Sequence, residues 1–234
     1  YGKIYQTRQG ADVMNILIDS VTNSKIPHFK IGCIIYHNIT VSDSPQSFKE
    51  KFRSLQKELF EHAQLKEIMD FSGIKEWRDT FKLAGTDASR YRHSAEALYR
   101  RIKKQSFLEP IHSAIDVNNY FSLLYECPLG VYDLNQIEGN IALSIGVDND
   151  SYEGINGRIN NMKNIILSKD ETGAFGSPYV DSKRTMVTTE TKNAIQFIYL
   201  RPSLTLEEAI EITATVMKEF LEIHGGQGQY EILT

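Results

Sequence analysis

Two stretches of the chain carry side chains whose type and spacing could hold a ligand. Arg90 and Arg92 stand two residues apart in TDASRYRHS (Thr86 to Ser94), a loop by composition. Two guanidiniums so placed can clamp a phosphate or carboxylate bidentately, or can pair internally with Asp87 and Glu96. Arg100 and Arg101 follow on the next helix, and between Lys75 and Lys104 there are nine Lys/Arg against four Asp/Glu. The whole chain carries a formal charge of −4, so a basic patch rides on an acidic body. That distribution suits a partner that is polyanionic at one place and argues against tight, non-specific coating of nucleic acid.

The second stretch threads Asp116, Asn118 and Asn119 through an otherwise apolar helical pattern, SAIDVNNYFSLLY (Ser113 to Tyr125). Asn is a poor helix former, and its amide is costly to bury without partners. Two readings stay open: an amide that ties a neighbouring loop to the core, or one that lines a pocket and bonds a ligand.

The elements that must position these groups follow from periodicity. Val13, Ile16, Leu17 and Val21 read as a short helix ended by Asn23, Ser24 and Pro27. IGCIIYHNITV, from Ile31, is β-branched and reads as a core strand. Asp43-Ser44-Pro45 supplies an N-cap and a first-turn Pro for a helix with Phe48, Phe52, Leu55 and Leu59 inward. A second helix buries Trp77, Phe81 and Ala84 and stops at Gly85, and Ser94 is the expected cap of a third that turns Leu98 and Ile102 inward. Ser113 with Asp116 should cap the Asn-bearing helix, with Ile115, Leu123 and Leu124 as core contacts.

After a Pro128-Leu129-Gly130 turn, Ile141, Leu143, Ile145 and Val147 alternate as a half-buried strand. Short strands are expected at Asn164 to Ser168, Pro178 to Asp181, Thr185 to Thr188 and Ala194 to Leu200. Thr205-x-x-Glu208 is a capping box for a last helix with Ile210, Ala214, Met217 and Leu221 inward, ended by Gly225-Gly226. The fold class expected is α+β, with helices early and most strands late.

Composition narrows the field. With 234 residues, 41% hydrophobic and 24% charged, the chain suits one sizeable core. No apolar run approaches the roughly 20 residues needed to cross a bilayer, and no leader pattern opens the chain, so the expectation is a cytoplasmic protein with no membrane partner. Cys33 and Cys127 lack disulfide-framework or metal-ligand spacing and read as buried thiols. DNDSYEG (Asp148 to Gly154) fails the spacing of a calcium loop, and no phosphate-binding glycine loop or repeat is present, so neither metal nor cofactor is expected.

The run IDVNNYFSLLYECPLGVYDLNQIEGNI (Ile115 to Ile141) resembles the B3/B4 domain of the phenylalanyl-tRNA synthetase beta subunit, whose pattern is VD-x-x-N-Y-V-x-L, then P-L/M-H-A-F-D-L-D-x-I-x-G-x-I. LAGTDASRYRHSAEALYRRI (Leu83 to Ile102) is similar to free-standing B3/B4 proteins, with Ala88 and His93 standing where their pattern has Pro. TTETKNA (Thr188 to Ala194) matches the T-x-E-T-R/K-N block, and the resemblance covers Pro27 to Leu200. It implies a single layered domain over residues 27–224, containing a β-sandwich of unusual topology with flanking helices, after an N-terminal extension at 1–26 and before a tail at 225–234.

The resemblance also implies a function. In synthetases the module hydrolyses tyrosine mistakenly esterified to the phenylalanine tRNA, so the partners expected are tRNA or aminoacyl-tRNA and an amino-acid-like ligand, not DNA. Gly130 occupies the position of the family's editing His, and DSKRTMV (Asp181 to Val187) stands where a glycine-rich block with a Glu is expected. Asp133 and Glu138 are then the candidate catalytic groups, while Asn118, Asn119, Gly130, Tyr132, Thr191 and Asn193 are candidate substrate contacts. Arg90, Arg92, Arg100 and Arg101 are the candidate RNA contacts. Two functions follow: a free-standing editing-type ester hydrolase, or a non-catalytic module that binds RNA or an amino-acid-like ligand. No ATP-binding motif is visible, so aminoacylation by this chain is not expected.

Overall fold

The structure is a computed structural model and describes residues 3–6 and 13–234. In chain order its elements are β1 (Lys3–Gln6), β2 (Val13–Ile18), α1 (Ser20–Lys25), β3 (Ile31–His37), α2 (Gln46–Leu65), α3 (Ser72–Ala84), α4 (Ser94–Lys103), α5 (Ser113–Tyr125) and β4 (Leu129–Asp133). They continue with β5 (Ile141–Ile145), β6 (Ser151–Glu153), β7 (Ile159–Asn161), β8 (Ile166–Asp170), β9 (Gly173–Gly176), β10 (Asn193–Tyr199), α6 (Leu206–His224) and β11 (Gln227–Leu233). Short 3-10 turns lie at Ile68–Asp70 and Leu134–Gln136. The fold is α+β, as the sequence leads one to expect. Among the described residues, no helix is long and apolar enough to cross a membrane.

Two sheets make the frame. One is antiparallel throughout, in the order β11-β3-β10-β4; the other runs β1-β2-β5-β8-β9, with β2 parallel to β5. Strand alternation gives the first sheet two different faces. One face meets the helices: Gly32 lies against Thr213 of α6, Tyr36 stacks on Phe220 with ring centroids 4.1 Å apart, and Gln196 reaches Asn118 of α5. The other face carries Tyr132, Phe197 and Tyr199, and meets Phe175 of the second sheet and Trp77 of α3. The result is a layered sandwich of sheet on sheet with helices outside.

Several local expectations are corrected. Val13–Ile18 is a strand rather than part of a helix, because sheet pairing with β5 overrides its helical spacing; the segment read as an extension thus supplies two of the five strands of the second sheet, β1 and β2. Residues 225–234, read as a tail, contribute β11, which pairs with β3 along its whole length. Leu129–Asp133 is an extended strand paired with β10, so Pro128-Leu129-Gly130 is no turn and Gly130 does not have positive φ. Pro178–Asp181 and Thr185–Thr188 form no strands; Met186 makes a single bridge to Tyr132.

Helix starts shift by one residue. His93 and His112, not Ser94 and Ser113, occupy the N-cap positions of α4 and α5, and the ring nitrogens of both accept the backbone N–H three residues on. Pro45 precedes α2 without a side-chain cap, because the Ser44 hydroxyl donates to Asp116 instead. Asp116 also accepts from Ile111 N–H and so closes no capping box on Ser113. On α6 the buried stripe is Ala209, Thr213, Val216, Phe220 and His224, one step from the apolar stripe expected, and Ile210 is exposed. Two polar members can be buried there because each bonds the carbonyl four residues back: Thr213 to Ala209 and His224 to Phe220. Leu124 is likewise exposed while Leu123 is buried. The capping box of Thr205 and Glu208 forms as expected, and Gly85 ends α3 at φ 95°.

Asn118 resolves one of the open readings. Its Nδ2 donates to Leu129 O at 3.0 Å and its Oδ1 accepts from Gln196 Nε2 at 3.1 Å, while Gln196 Oε1 accepts from the Tyr36 hydroxyl at 2.8 Å. This buried relay ties β3, β10, β4 and α5 together. Replacement by Leu strands two partners in the interior, and should cost about 1–3 kcal/mol in urea denaturation. An Asn118→Leu variant as stable as the wild type would show that the relay contributes nothing.

Candidate functional site

The Tyr132 side chain is the centre of the region that the sequence singles out. On β4 it shares a face with Gly130, two residues back, and its ring leans over that glycine. A Cβ at Gly130 would lie 2.1 Å from the Tyr132 hydroxyl oxygen, and one at Gly176 of β9 would lie 2.4 Å from it. Two glycines on facing sheets thus make the slot that the ring fills. Phe175 closes it edge-on at 5.1 Å and Phe197, tilted, at 5.8 Å.

The phenol ends on a carboxyl. Tyr132 donates to Asp181 Oδ1 at 2.7 Å, and the Ser177 N–H approaches the same oxygen at 3.4 Å. Asp181 is partly exposed as a residue, yet its carboxyl is turned inward: desolvation raises its pKa to about 7, against the lowering effect of the Tyr132 hydrogen bond. Burial also pushes the Tyr132 and Tyr199 phenols upward. The Tyr199 hydroxyl and that of Ser168, the cross-strand partner of Gly176, are buried and outside good hydrogen-bonding geometry.

The segment Asp181 to Val187 runs along the free edge of β4. Asp133 N–H donates to Thr185 O at 2.8 Å beside the Tyr132–Met186 bridge. Its start is shaped by Ser177, whose hydroxyl accepts from Tyr179 and Val180 N–H and donates to Val180 O. A surface cleft of about 450 Å³ opens beside this segment, lined by Tyr152, Thr172, Ala174, Ser182, Lys183 and Arg184. Its two cations are already paired, Lys183 with Glu153 and Arg184 bidentately with Asp170. None of the site residues expected from sequence lines it.

Those residues fall into three groups. Asp133, Thr191 and Asn193 come together near the end of β4. Thr191 donates to Asp133 Oδ2 at 2.7 Å, Asp133 Oδ1 accepts from Asn135 N–H at 3.0 Å, and Asn193 bonds Asn135 and Asn38. Both oxygens of Asp133 therefore hold structure. Asn118 lies on the helix side of the sheet, opposite Tyr132, and the half-buried Asn119 side chain makes no hydrogen bond among the described residues. The Glu138 side chain is exposed, and only its backbone is bonded, to Asp170 and Glu171.

The basic loop forms the third group. Arg100 and Arg92 turn toward the buried Glu96, Arg90 lies over the Tyr91 ring at 5.3 Å, and Arg101 is exposed. This loop abuts the Asp181 segment: Ser94 N–H donates to Pro178 O at 2.7 Å, and Tyr91 packs edge-on to Tyr179 at 5.3 Å. His93 is buried, with Nε2 on Ile74 O at 3.0 Å and burial lowering its pKa to about 4, so it is a neutral structural group. Sequence reasoning missed Asp181, Gly176 and Tyr199 as neighbours of Tyr132. Only the departure at Asp181 to Val187 marked that region.

Comparison with known proteins follows the same stretch of chain. A family model described as the B3/4 domain matches residues 76–214. The chain is 31% identical over 221 residues to the uncharacterized protein YhzB of Bacillus subtilis, covering 94% of this chain and 100% of that one. It is 27% identical over 112 residues to the phenylalanine–tRNA ligase beta subunit of Fusobacterium nucleatum, covering 47% of this chain and 14% of the ligase subunit. The corresponding subunit of Bartonella henselae is 27% identical over 90 residues, 38% of this chain and 11% of its own length. The alignments with the ligase subunits thus span only a small part of those proteins. Among solved structures, an N-terminal fragment of the phenylalanyl-tRNA synthetase beta-subunit from Pyrococcus horikoshii is similar with a TM-score of 0.45 at 14% identity, over 91% of this chain and 49% of that one.

The Asp181 carboxyl gives a test by pH. Unfolded, it ionises near 3.9; folded, it keeps its proton to about 7. The native state binds the extra proton between those values, so this group's contribution to stability falls as pH rises across that window and is level above it. His93 and His224, lowered to about 4 by burial, act in the opposite sense and cancel when wild type and variant are compared. Asp181→Asn should therefore gain stability relative to wild type from pH 4 to pH 7 in urea denaturation. A difference that does not change with pH would show an ordinary carboxyl.

Proposed function

This chain belongs to the B3/4 domain family, and on that footing we propose that it is a recognition module for the aminoacylated end of a tRNA, binding it without efficient hydrolysis. The observation that carries the reading is the packing of the basic loop on the segment that closes over Tyr132, through Ser94 to Pro178 and Tyr91 to Tyr179. RNA phosphates held by Arg90, Arg92, Arg100 and Arg101 would bring the strand's end to that segment. Kinship with proteins named as tRNA ligase subunits supplies the ligand class. The function assigns the protein to the cytoplasm, where tRNA is charged and used.

Hydrolysis asks for more than binding. A positioned base or acid contributes about a hundredfold to ten-thousandfold at an ester. Here Gly130 offers no side chain, Asp133 is spent on Thr191 and Asn135, and Glu138 faces solvent. The substrate contacts proposed are Tyr132 and its glycine slot, with Thr191 and Asn193 holding the strand end. Hydrolytic editing is the second reading, and Asp181 favours it: a carboxyl with its pKa raised to about 7 is tuned for proton transfer at neutral pH.

Binding of the full chain to uncharged and aminoacylated tRNA, followed by mobility shift across a salt series, tests the proposal. Arg90→Ala and Arg101→Ala should each flatten the log–log salt slope by about 0.7–0.9 per lost phosphate contact. A panel of mischarged tRNAs should be bound and deacylated no faster than in buffer. Absence of tRNA binding at low salt would overturn the proposal, and deacylation abolished by Asp181→Asn would establish the editing reading instead.

A further inference from the structure

Glu96, in the first turn of α4, is an unusual organising centre. Its side chain is 1% exposed, yet three guanidiniums converge on one of its oxygens. Arg78 Nη1 of α3 donates to Oε1 at 2.9 Å, Arg100 Nε donates to it at 2.8 Å, and Arg92 Nε stands at 4.0 Å. The other oxygen, Oε2, is buried without a partner. Three positive charges therefore share one negative charge. The other carboxylates of this stretch bond elsewhere: Asp79 pairs with Lys75 and Lys82, Asp87 accepts from Ser89, and Glu76 accepts from Ser203.

The arrangement leaves charge and donors pointing outward. The side chains of Arg78, Arg100 and Arg92 are 25%, 38% and 55% exposed; Arg78 and Arg100 are anchored on Glu96 by hydrogen bonds, Arg92 stands beside it at 4.0 Å, and all three reach solvent. A guanidinium has five N–H donors in a fixed fork, and an inner carboxylate that fixes its orientation lowers the cost of ordering it on a ligand. The positive end of the α4 dipole lies at the same place, with Arg92 just ahead of the His93 cap.

We infer that Arg78, Arg92 and Arg100, positioned by Glu96, form a phosphate-binding site. Its ligand is a phosphate group, from either the backbone of an RNA or a free phosphate or nucleotide. The RNA source rests on the tRNA reading proposed above; the site itself does not. Arg78 contacts the ligand, and Glu96 is a positioning residue that does not touch it. Arg90 and Arg101, which have no such anchor, play a weaker, less specific part.

Calorimetric titration of the full chain with pyrophosphate and, separately, with a tRNA acceptor-stem minihelix distinguishes the sources. Wild type should bind pyrophosphate saturably at one site. Arg92→Gln, the most exposed of the three and so the least threat to folding, should weaken it by about tenfold or more. Lys57→Gln, an exposed charge change on α2, should leave it within about twofold. Pyrophosphate binding with this pattern, but no minihelix binding, supports the site and refutes the RNA source. Minihelix binding that Arg92→Gln leaves intact, equal loss in the Arg92 and Lys57 variants, or no saturable pyrophosphate binding would each overturn the site.

Discussion

One ring fixes the relation between the two sheets. Tyr132 spans the gap from β4 to β9, and it fits because neither Gly130 nor Gly176 carries a Cβ. The ring then meets Phe175 and Phe197 edge-on or tilted, contacts that contribute beyond their buried area. Its hydroxyl cannot be buried there without a partner, and Asp181 is that partner. The carboxyl in turn needs the Ser177–Val180 turn to bring it inward, and that turn is braced by the basic loop through Ser94 and Tyr91. A single close approach thus links the sandwich core to the surface that bears the arginines.

The same approach separates this chain from the synthetase pattern it resembles. Where that pattern has a His, this sequence has Gly, and the space a side chain would occupy is taken by the molecule's own phenol. Tyr132 fills that space from within, and a ligand that entered it would have to displace the ring. Both cysteines are buried, and burial raises the Cys127 thiol to about 12, so neither offers an alternative nucleophile.

Much of the frame was legible. The β-branched run at Ile31, the aromatic stripe of α3, the stop at Gly85 and the capping box of Thr205 and Glu208 are local signals, and the structure follows them. Val13–Ile18 and β11 were not legible, because a strand that completes a sheet is decided by its neighbours and not by its own periodicity. The site divides in the same way. Asp133 and Thr191 meet near the end of β4, a contact not read from the sequence, while Asn118 bonds Leu129 and Gln196 on the far side of the sheet. Gly130, a departure from the family pattern, lies against the Tyr132 ring, where a Cβ has no room. Pairing of Arg92 with Glu96 is one of the two readings open in the sequence, and Arg100 joins it at the same i,i+4 spacing; what no single segment encodes is the approach of Arg78 from α3 to Glu96 and of Gly176 from β9 to the Tyr132 ring.

Gly130 makes room for the Tyr132 ring, and a double-mutant cycle measures that contact directly. Unfolding free energies of Gly130→Ala, Tyr132→Ala and the double variant would be compared with wild type by urea denaturation at pH 7. Gly130→Ala alone should destabilise by about 1–3 kcal/mol through overpacking, and Tyr132→Ala alone by about 3–5 kcal/mol through loss of the ring. With the ring gone, the added methyl should cost little, leaving a coupling of about 1 kcal/mol or more between the two positions. Strict additivity would contradict the account, because it would mean that the ring and the glycine do not meet.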